Sequence, residues 1–271
     1  MNDDERKQYW NKDYVQYWQK RVEEANRSSG DSQIVERDSA APSDELYADL
    51  ILALEIPRES RVLEVGCGFG RTIPMLHAIT PQVDAIDISQ AMIDIARKSC
   101  AELAGVQFHV SEAEQTPFSS KRFERLICFG VFDALYQREA LIEFNRVLSL
   151  QGRVLITGKN DNYFPDDDKA LVAEANARAK GHPNYFTDVS KLISNIQLFG
   201  FGVLQQRFYL RRGDTALNRF SSQKPDRFYE YALILEKRTA AGEDANTLSI
   251  SAPVSKTFSE SPTSPAQSPQ G

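Results

Sequence analysis

The chain contains the segment Arg61-Val62-Leu63-Glu64-Val65-Gly66-Cys67-Gly68-Phe69-Gly70, in which an apolar run leads into three glycines at alternate positions. The valines and the leucine are typical of a strand that is buried on both faces. The glycines lack Cβ atoms, so a ligand can come close to the backbone there. The segment predicts a buried strand, a tight turn and a ligand on that turn. A purely structural turn is the alternative.

The residues after this segment extend the predicted unit. Residues 71–78 are predicted to form a helix, whose N-terminus would favour an anionic group. A second predicted strand over residues 82–89 carries Asp87 near its end. This position is about twenty residues after the first glycine, where ribose-binding folds place a carboxylate. Asp87 is therefore the candidate partner of ribose hydroxyls.

A second helix is predicted directly after that strand. Ser89 can cap it, and apolar residues recur at helical spacing over residues 90–102. Ile88 and Met92 are candidates to flank an adenine ring. Packing in the core is the alternative for both side chains.

The segment from Glu64 to Gly70 resembles the first motif of the Rossmann-like (class I) S-adenosylmethionine-dependent methyltransferases, an acidic residue followed by alternating glycines. Dinucleotide dehydrogenases instead have the spacing G-x-G-x-x-G, and here the third glycine comes one residue earlier. The resemblance implies S-adenosyl-L-methionine as the cofactor. It implies these cofactor-binding residues in the first two strands and their turns: Glu64, Gly66, Cys67, Gly68, Gly70 and Asp87.

Residues 109–118 resemble the third segment of the same family, an acidic residue followed by alanine and later by a proline-aromatic pair. Glu112 stands where the family usually has aspartate. The resemblance implies that the Glu112 carboxylate accepts a hydrogen bond from the adenine amino group and that Ala113 supplies a backbone contact. A solvated surface acid is the alternative for Glu112.

Two later segments continue the resemblance in the same order. Residues 123–132 resemble the family's fourth strand, and residues 143–156 resemble its next helix, a turn at Gln151-Gly152 and the fifth strand. The resemblance implies that the carbonyls of Phe129 and Gly130 receive the ammonium group of the methyl donor.

The resemblance spans about residues 46–158, with a last strand at residues 229–237. It implies an α/β fold, a doubly wound, mostly parallel seven-stranded sheet of methyltransferase type with an N-terminal helical segment and an inserted acceptor cap. The predicted organisation has three parts: an N-terminal helix and linker over 1–42, a methyltransferase domain over 43–238 with the cap at about 159–187, and a disordered tail over 239–271.

Length and composition narrow the class of protein. The 271 residues suffice for one large α/β domain with tails. The net charge is −6 and the 32 basic residues are scattered, which disfavours binding to a nucleic-acid backbone. We expect no membrane span and a cytoplasmic location, because long apolar runs and a basic, apolar leader are absent. The three cysteines lack C-x-x-C spacing, so we expect neither disulfides nor a metal site.

An apolar stripe lies near the N-terminus. It consists of Trp10, Tyr14, Tyr17 and Trp18, at the spacing of one helix face. One interpretation is packing against the main domain or against the partner subunit of a homodimer. The other is a lid over cofactor and acceptor.

The acceptor is expected beyond the carboxyl ends of the fourth and fifth strands, where doubly wound sheets bind ligands. Asp133 follows the fourth strand, and Asp161 and Tyr163 follow the fifth. Residues 166–186 form an insertion longer than a simple connection, and it contains His182. If the acceptor is a hydroxyl, His182 is a candidate general base because an imidazole titrates near neutral pH. Asp133, Asp161 and Tyr163 compete for that catalytic role.

The sequence therefore predicts methyl transfer by in-line displacement to an oxygen or nitrogen of a small polar acceptor, for example a sugar or an anionic metabolite. Four basic residues are candidates for the rim of an anion-binding site, and a solvated surface is the alternative for them: Lys159, Arg211, Arg212 and Arg219. The alternatives are a nicotinamide-dependent oxidoreductase and a non-catalytic scaffold with the cofactor fold. Binding of S-adenosylhomocysteine or of NADH, and turnover of any acceptor, separate the three.

Overall fold

The computed structural model describes residues 3–16, 43–182 and 184–251. Within these ranges the chain forms one sheet with helices on both faces. Tyr17 and Trp18 of the predicted stripe, and the predicted linker, lie outside the described residues.

The sheet has seven strands in the order β3-β2-β1-β4-β5-β7-β6. Their bounds are β1 Val62–Val65, β2 Val83–Asp87, β3 Val106–Val110, β4 Phe123–Cys128, β5 Leu148–Lys159, β6 Phe201–Tyr209 and β7 Glu230–Lys237. The first five strands pair in parallel, and β7 pairs antiparallel with both β5 and β6. The predicted doubly wound, mostly parallel sheet is confirmed.

Seven α-helices with bounds inside the described ranges accompany the strands. They are α1 Asp3–Gln8, α2 Asp44–Ala53, α3 Ile73–His77, α4 Gln90–Ser99, α5 Gln137–Val147, α6 Asp168–Ala179 and α7 Val189–Asn195. A π-helical turn, Tyr9–Asp13, continues α1, and short 3-10 turns occupy Phe132–Ala134, Ile196–Phe199 and Glu243–Thr247. The side chains of Ser43 and Ser89 cap α2 and α4 as the sequence predicts.

Two apolar layers hold the sheet between its helices. On one face, α5 and α7 pack on Leu126, Val154 and Leu233. On the other face, α2, α3 and α4 pack on neighbouring residues of the same strands, such as Ile127 and Leu155. Because helices cover both faces and consecutive strand residues point to opposite faces, nearly every residue of the central strands is buried. This explains why their sequences are almost continuously apolar.

The structure differs from the sequence prediction near the C-terminal end of the described chain. Residues 240–251 were predicted within a disordered tail, yet Ala245 and Ile250 are buried in the core. The backbone N–H of Asp188 donates to the Ile250 carbonyl at 3.0 Å, and Thr187 pairs with Ser251. Ala245 and Ile250 therefore hold this segment on the core, and Leu248 packs partly against it. Residues 252–271 lie outside the described part.

Two local predictions also differ. Gln151-Gly152, predicted as a turn, lies within β5, where Gln151 adopts a left-handed φ of 63°. The predicted helix over residues 71–78 is reduced to α3, which has five residues. Its Thr72 end makes no side-chain cap, because the Thr72 hydroxyl is used by Glu64 instead.

Candidate functional site

A cavity of about 250 Å³ opens at the carboxyl ends of β1, β2 and β4. We call it the glycine-turn cavity. It gathers most of the predicted cofactor residues, which come from four separate segments: Gly66, Gly68, Asp87, Ile88, Met92, Glu112, Ala113 and Gly130. Residues of α3 do not line it, so the expected contribution of a helix N-terminus after the glycine turn is wrong for this cavity.

The Asp87 carboxylate ties the glycine turn to the end of β2. Its Oδ2 accepts a hydrogen bond from the Gly68 N–H at 2.9 Å, and its Oδ1 accepts one from the Ser89 N–H at 2.8 Å. Burial raises the pKa of Asp87 above its ordinary value, although both N–H groups oppose this shift. Each carboxylate oxygen has a second lone pair, so Asp87 can also accept from a ligand hydroxyl.

The space around the glycines shows where a ligand could lie against the backbone. Gly68 and Gly130 have left-handed φ angles of 52° and 61°, and a Cβ at either position would meet no atom within 4 Å. Such a Cβ would project into open space, and both glycines line the cavity. At Gly66, a Cβ would instead lie 2.5 Å from Val131 Cγ2. Gly66 thus keeps the turn packed, while Gly68 and Gly130 keep the floor of the cavity open.

Glu64 is buried beneath the turn and does not line the cavity. The Thr72 hydroxyl donates to its Oε1, and burial raises its pKa to about 7. Its Oε2 is one of four buried side-chain polar atoms without a hydrogen-bond partner among the described residues. Glu64 therefore lies beneath the glycine turn, where it accepts a hydrogen bond from Thr72, and it does not face the cavity.

Three other predicted cofactor residues lie outside the lining of the glycine-turn cavity. Cys67 is buried, which raises the pKa of its thiol, and its Sγ faces the Gly68 carbonyl. A Cβ at Gly70 would lie 3.0 Å from Cys100 Sγ, so this glycine serves packing. Phe129 contributes to a neighbouring cavity described below.

Glu112 does line the cavity, but its carboxylate already has partners. Lys7 Nζ lies 2.6 Å from Oε1 and Arg6 Nη2 lies 3.3 Å from Oε2. Arg6 also pairs with Glu114 at 2.6 Å and lies over the Tyr136 ring at 4.4 Å. Arg6 is only 2% exposed. The N-terminal segment is therefore fixed to the cavity rim by a buried cation, which the sequence alone did not indicate.

The same N-terminal segment places aromatic rings on the cavity. Trp10 and Tyr14 of the predicted stripe line it, and both rings contact His182. The Tyr9 hydroxyl lies 2.9 Å from His182 Nδ1. These contacts agree with both earlier interpretations, because the segment packs on the domain and covers the cavity at the same time.

A second cavity, of about 240 Å³, lies beside the first under the insertion after β5. We call it the cap cavity. Gly130, Ala134 and His182 line both cavities, so the two spaces meet there. The cap cavity also contains Asp133, and its Oδ1 accepts a hydrogen bond from the Lys159 N–H at 2.9 Å. Burial raises the pKa of Asp133 to about 7.

His182 lies between the cavities, but its chemistry differs from the sequence expectation. Burial, followed by the Lys159 charge, lowers its pKa to about 4. The imidazole is therefore neutral near pH 7 and a weak base. Its Nδ1 is occupied by the Tyr9 hydroxyl, so His182 contacts the N-terminal segment as well as both cavities.

Asp161 and Tyr163 line neither cavity. After β5 the chain is held by Asn160, whose side chain donates to the Phe228 carbonyl, and by the Asp161 N–H, which donates to the Thr187 carbonyl. Tyr163 packs between the rings of Phe186 and Tyr229. The prediction that Asp161 and Tyr163 lie at the catalytic site is therefore wrong for these two cavities.

The acidic run at the start of the insertion has other partners. Asp166 pairs with Arg211, and Asp167 caps α6 by accepting from the Ala170 N–H. Among the described residues, no cluster of three or more His, Cys, Asp or Glu side chains could hold a metal ion. No helix in the described ranges is long and apolar enough to cross a membrane.

Known proteins share this sequence pattern and fold. Residues 62–152 match the methyltransferase domain family. The uncharacterized methyltransferase YcgJ of Bacillus subtilis is 29% identical over 121 residues, which are 44% of this chain and 47% of that protein. Its crystal structure superposes with a TM-score of 0.54 and 22% identity, covering 73% of this chain and 100% of that one.

Two further proteins are similar. The demethylmenaquinone methyltransferase of Clavibacter sepedonicus is 32% identical over 97 residues, 35% of this chain and 40% of that protein. Geranyl diphosphate C-methyltransferase from Streptomyces coelicolor A3(2), crystallised with S-adenosyl-L-homocysteine, superposes with a TM-score of 0.57 at 15% identity, covering 72% and 79% of the two chains. The chain thus spans less than half the length of the two relatives matched by sequence.

The matched residues include β1, the glycine turn, β2 and β4, which build the glycine-turn cavity. Over residues 62–152 the chain is therefore similar to methyltransferases, and its fold is the Rossmann-like fold of those enzymes.

Proposed function

We propose that this chain transfers a methyl group from S-adenosylmethionine to an oxygen or nitrogen of a small polar acceptor. The glycine-turn cavity would hold the donor and the cap cavity the acceptor. The observation that carries the proposal is their contact at Gly130, Ala134 and His182. An in-line displacement needs donor and nucleophile on either side of one such opening.

The residues of the glycine-turn cavity fit the donor. Asp87 can accept from its ribose hydroxyls, and the absence of Cβ atoms at Gly68 and Gly130 lets it lie against the backbone. Met92, Ile88 and Ala113 offer apolar surface to a base. The donor supplies an electrophilic methyl group on a sulfonium, so the chain needs no nucleophilic side chain.

The cap cavity contains a carboxyl group that can remove a proton from the methyl acceptor. Asp133 lines it, and burial gives this carboxyl a pKa of about 7, so it can exchange a proton near neutral pH. His182 is the poorer base because its pKa is about 4. Of the four predicted catalytic residues, we therefore assign proton transfer to Asp133 and a positioning role to His182.

The names of the similar proteins include other acceptors, demethylmenaquinone and geranyl diphosphate. The cap cavity contains Asp133, Lys159 and Glu230 beside its aromatic rings. Ionisable groups are costly beside a purely apolar chain. The lining therefore favours a polar acceptor over a prenyl chain.

Calorimetric titration with S-adenosylhomocysteine tests the donor half of the proposal, with NADH as the control ligand. We expect binding of the first and none of the second, and NADH binding alone would support the oxidoreductase alternative. Transfer of a labelled methyl group to a panel of amines, alcohols and carboxylates then tests the acceptor half. Donor binding without transfer to any acceptor would favour the scaffold alternative.

A further inference from the structure

The ionisable groups of the cap cavity carry an excess of negative charge. Lys159 is the cation that lines it, and Lys159 Nζ lies 3.0 Å from Glu174 Oε1. Glu174 is itself buried and also accepts from the Tyr229 hydroxyl at 2.6 Å and from the Asn184 amide at 2.9 Å. The charge of Lys159 is therefore balanced by a carboxylate behind the cavity wall.

Asp133 and Glu230 are the two carboxyl groups that line the cavity. Asp133 accepts from the Lys159 backbone N–H, and Glu230 Oε2 accepts from the Thr215 hydroxyl at 2.9 Å. Both partners are uncharged donors. Neither carboxylate forms an ion pair among the described residues.

The electrostatic surroundings agree with this arrangement. Burial raises the pKa of both Asp133 and Glu230, and the nearby charge of Glu174 raises it further. Lys159 acts in the opposite direction on both, and Arg212 does so on Glu230, without reversing the shift. A cationic ligand would lower both pKa values and so gain binding free energy from both groups.

Aromatic side chains share the remaining walls with aliphatic and polar residues such as Leu46, Leu50 and Asn184. Tyr47, Phe129, Tyr209 and Tyr231 line the cavity, and the Tyr47 and Phe129 rings meet edge to face at 4.6 Å. Aromatic faces beside carboxylates attract ammonium groups and repel anions. The other predicted anion-binding residues lie outside the lining of the cavity. Arg211 pairs with Asp166, Arg219 lies 4.0 Å from Asp214, and Arg212 donates to the Tyr229 hydroxyl at 3.4 Å.

We propose that the acceptor is a small amine, bound as its ammonium by Asp133 and Glu230 against the aromatic walls of the cap cavity, and methylated on nitrogen. This inference rests on the proposed function and narrows its acceptor from a polar molecule to an amine. The same lining disfavours an anionic metabolite, because two carboxyl groups face one lysine.

The reaction balances with groups already present. The ammonium first gives one proton to the Asp133 carboxylate, which frees the nitrogen lone pair. The amine nitrogen then forms its bond to the methyl carbon while the carbon–sulfur bond breaks and its electron pair passes to sulfur. The products are a methylated ammonium and S-adenosylhomocysteine, and Asp133 returns its proton to water.

Calorimetry with three matched probes tests the inference on the full chain saturated with S-adenosylhomocysteine. The probes are 2-phenylethylamine, 2-phenylethanol and phenylacetate, which differ mainly in the charge of the end group. We expect the amine to bind about tenfold or more tightly than the alcohol, and the carboxylate to bind most weakly. Asp133→Asn and Glu230→Gln should each remove most of the preference for the amine, because both amides keep the side-chain shape and lose the charge.

Glu236→Gln is the matched control, since Glu236 lies on β7 with Glu230 but does not line the cavity. It should keep the preference of the unmodified chain. Equal or weaker binding of the amine than of the alcohol, including no binding of the amine at all, would overturn the inference. If the unmodified chain did not bind S-adenosylhomocysteine, the result would instead count against the proposed function.

Discussion

The glycine-turn cavity and the cap cavity meet at three residues but are built in different ways. The first is formed chiefly by the ends of parallel strands, where residues close in sequence, such as Gly66 and Gly68, line the cavity. The second gathers residues from α2, β5, β6, β7 and the insertion. A strand-end turn fixes its geometry locally, whereas a cavity under an insertion depends on long-range packing. The glycine-turn cavity therefore depends mainly on local sequence, and the cap cavity depends on the packing of distant segments.

The largest expected effect is at the floor of the glycine-turn cavity. Gly68→Leu should weaken S-adenosylhomocysteine binding more than about a hundredfold, because the new side chain would project into the cavity. Calorimetry measures the affinity. The left-handed backbone alone would cost about 1–2 kcal/mol of stability.

Gly181→Leu is the control for that backbone cost. Gly181 has a φ of 66°, and its Cβ position is equally open, but it lines neither cavity. Both variants should unfold at similarly reduced temperatures, while only Gly68→Leu should lose the ligand. Equal loss of affinity in both would show that strain, not occupancy of the cavity, decides binding.

The next effect concerns the Asp87 carboxylate. Asp87→Ala should weaken S-adenosylhomocysteine binding by about 1–3 kcal/mol, since the ribose hydroxyls and the Gly68 N–H would both lose an acceptor. Asp94→Ala, on the exposed side of α4, should leave the affinity unchanged. An unchanged titration for Asp87→Ala would remove this residue from the donor site.

The difference between local and long-range construction also explains which parts of the site could be predicted from the sequence. The glycine turn and Asp87 are adjacent to their own strands, so a local pattern indicates their place. Arg6 and Glu114 are 108 positions apart, and Tyr9 and His182 are 173 apart, so no local pattern brings them together. The pKa of His182 depends on the burial that these distant contacts create. The same limit explains why Ala245 and Ile250, isolated apolar residues in a largely polar segment, were predicted to lie in a disordered tail.

The rim of the glycine-turn cavity offers a comparison between two neighbouring cations. Arg6→Met should weaken S-adenosylhomocysteine binding about tenfold, because it leaves Glu112 and Glu114 without their buried partner and loosens the N-terminal segment. Lys7→Met should change it less than about twofold, since Lys7 is 45% exposed and its ion pair is screened by water. Hydrogen exchange of residues 3–16 would report the loosening directly. Equal effects of the two substitutions would contradict a role for the buried pair.

The smallest expected effect is on the pH dependence of stability. Asp133 and His182 should contribute to it with opposite signs. The pKa of Asp133 rises from an ordinary 3.8 to about 7 on folding, so its contribution to stability is present at low pH and is lost as the pH rises through 7. The pKa of His182 falls from 6.5 to about 4, so its contribution is present above pH 6.5 and is lost as the pH falls towards 4. Asp133→Asn should therefore make the free energy of unfolding rise more steeply with pH between 5 and 6.5 in urea titrations, and His182→Gln should make it rise less steeply. Each change should stay below about 1.4 kcal/mol per pH unit, the limit for one proton. If both substitutions changed the slope of the unfolding free energy against pH in the same direction, the result would contradict the raised pKa of Asp133 or the lowered pKa of His182.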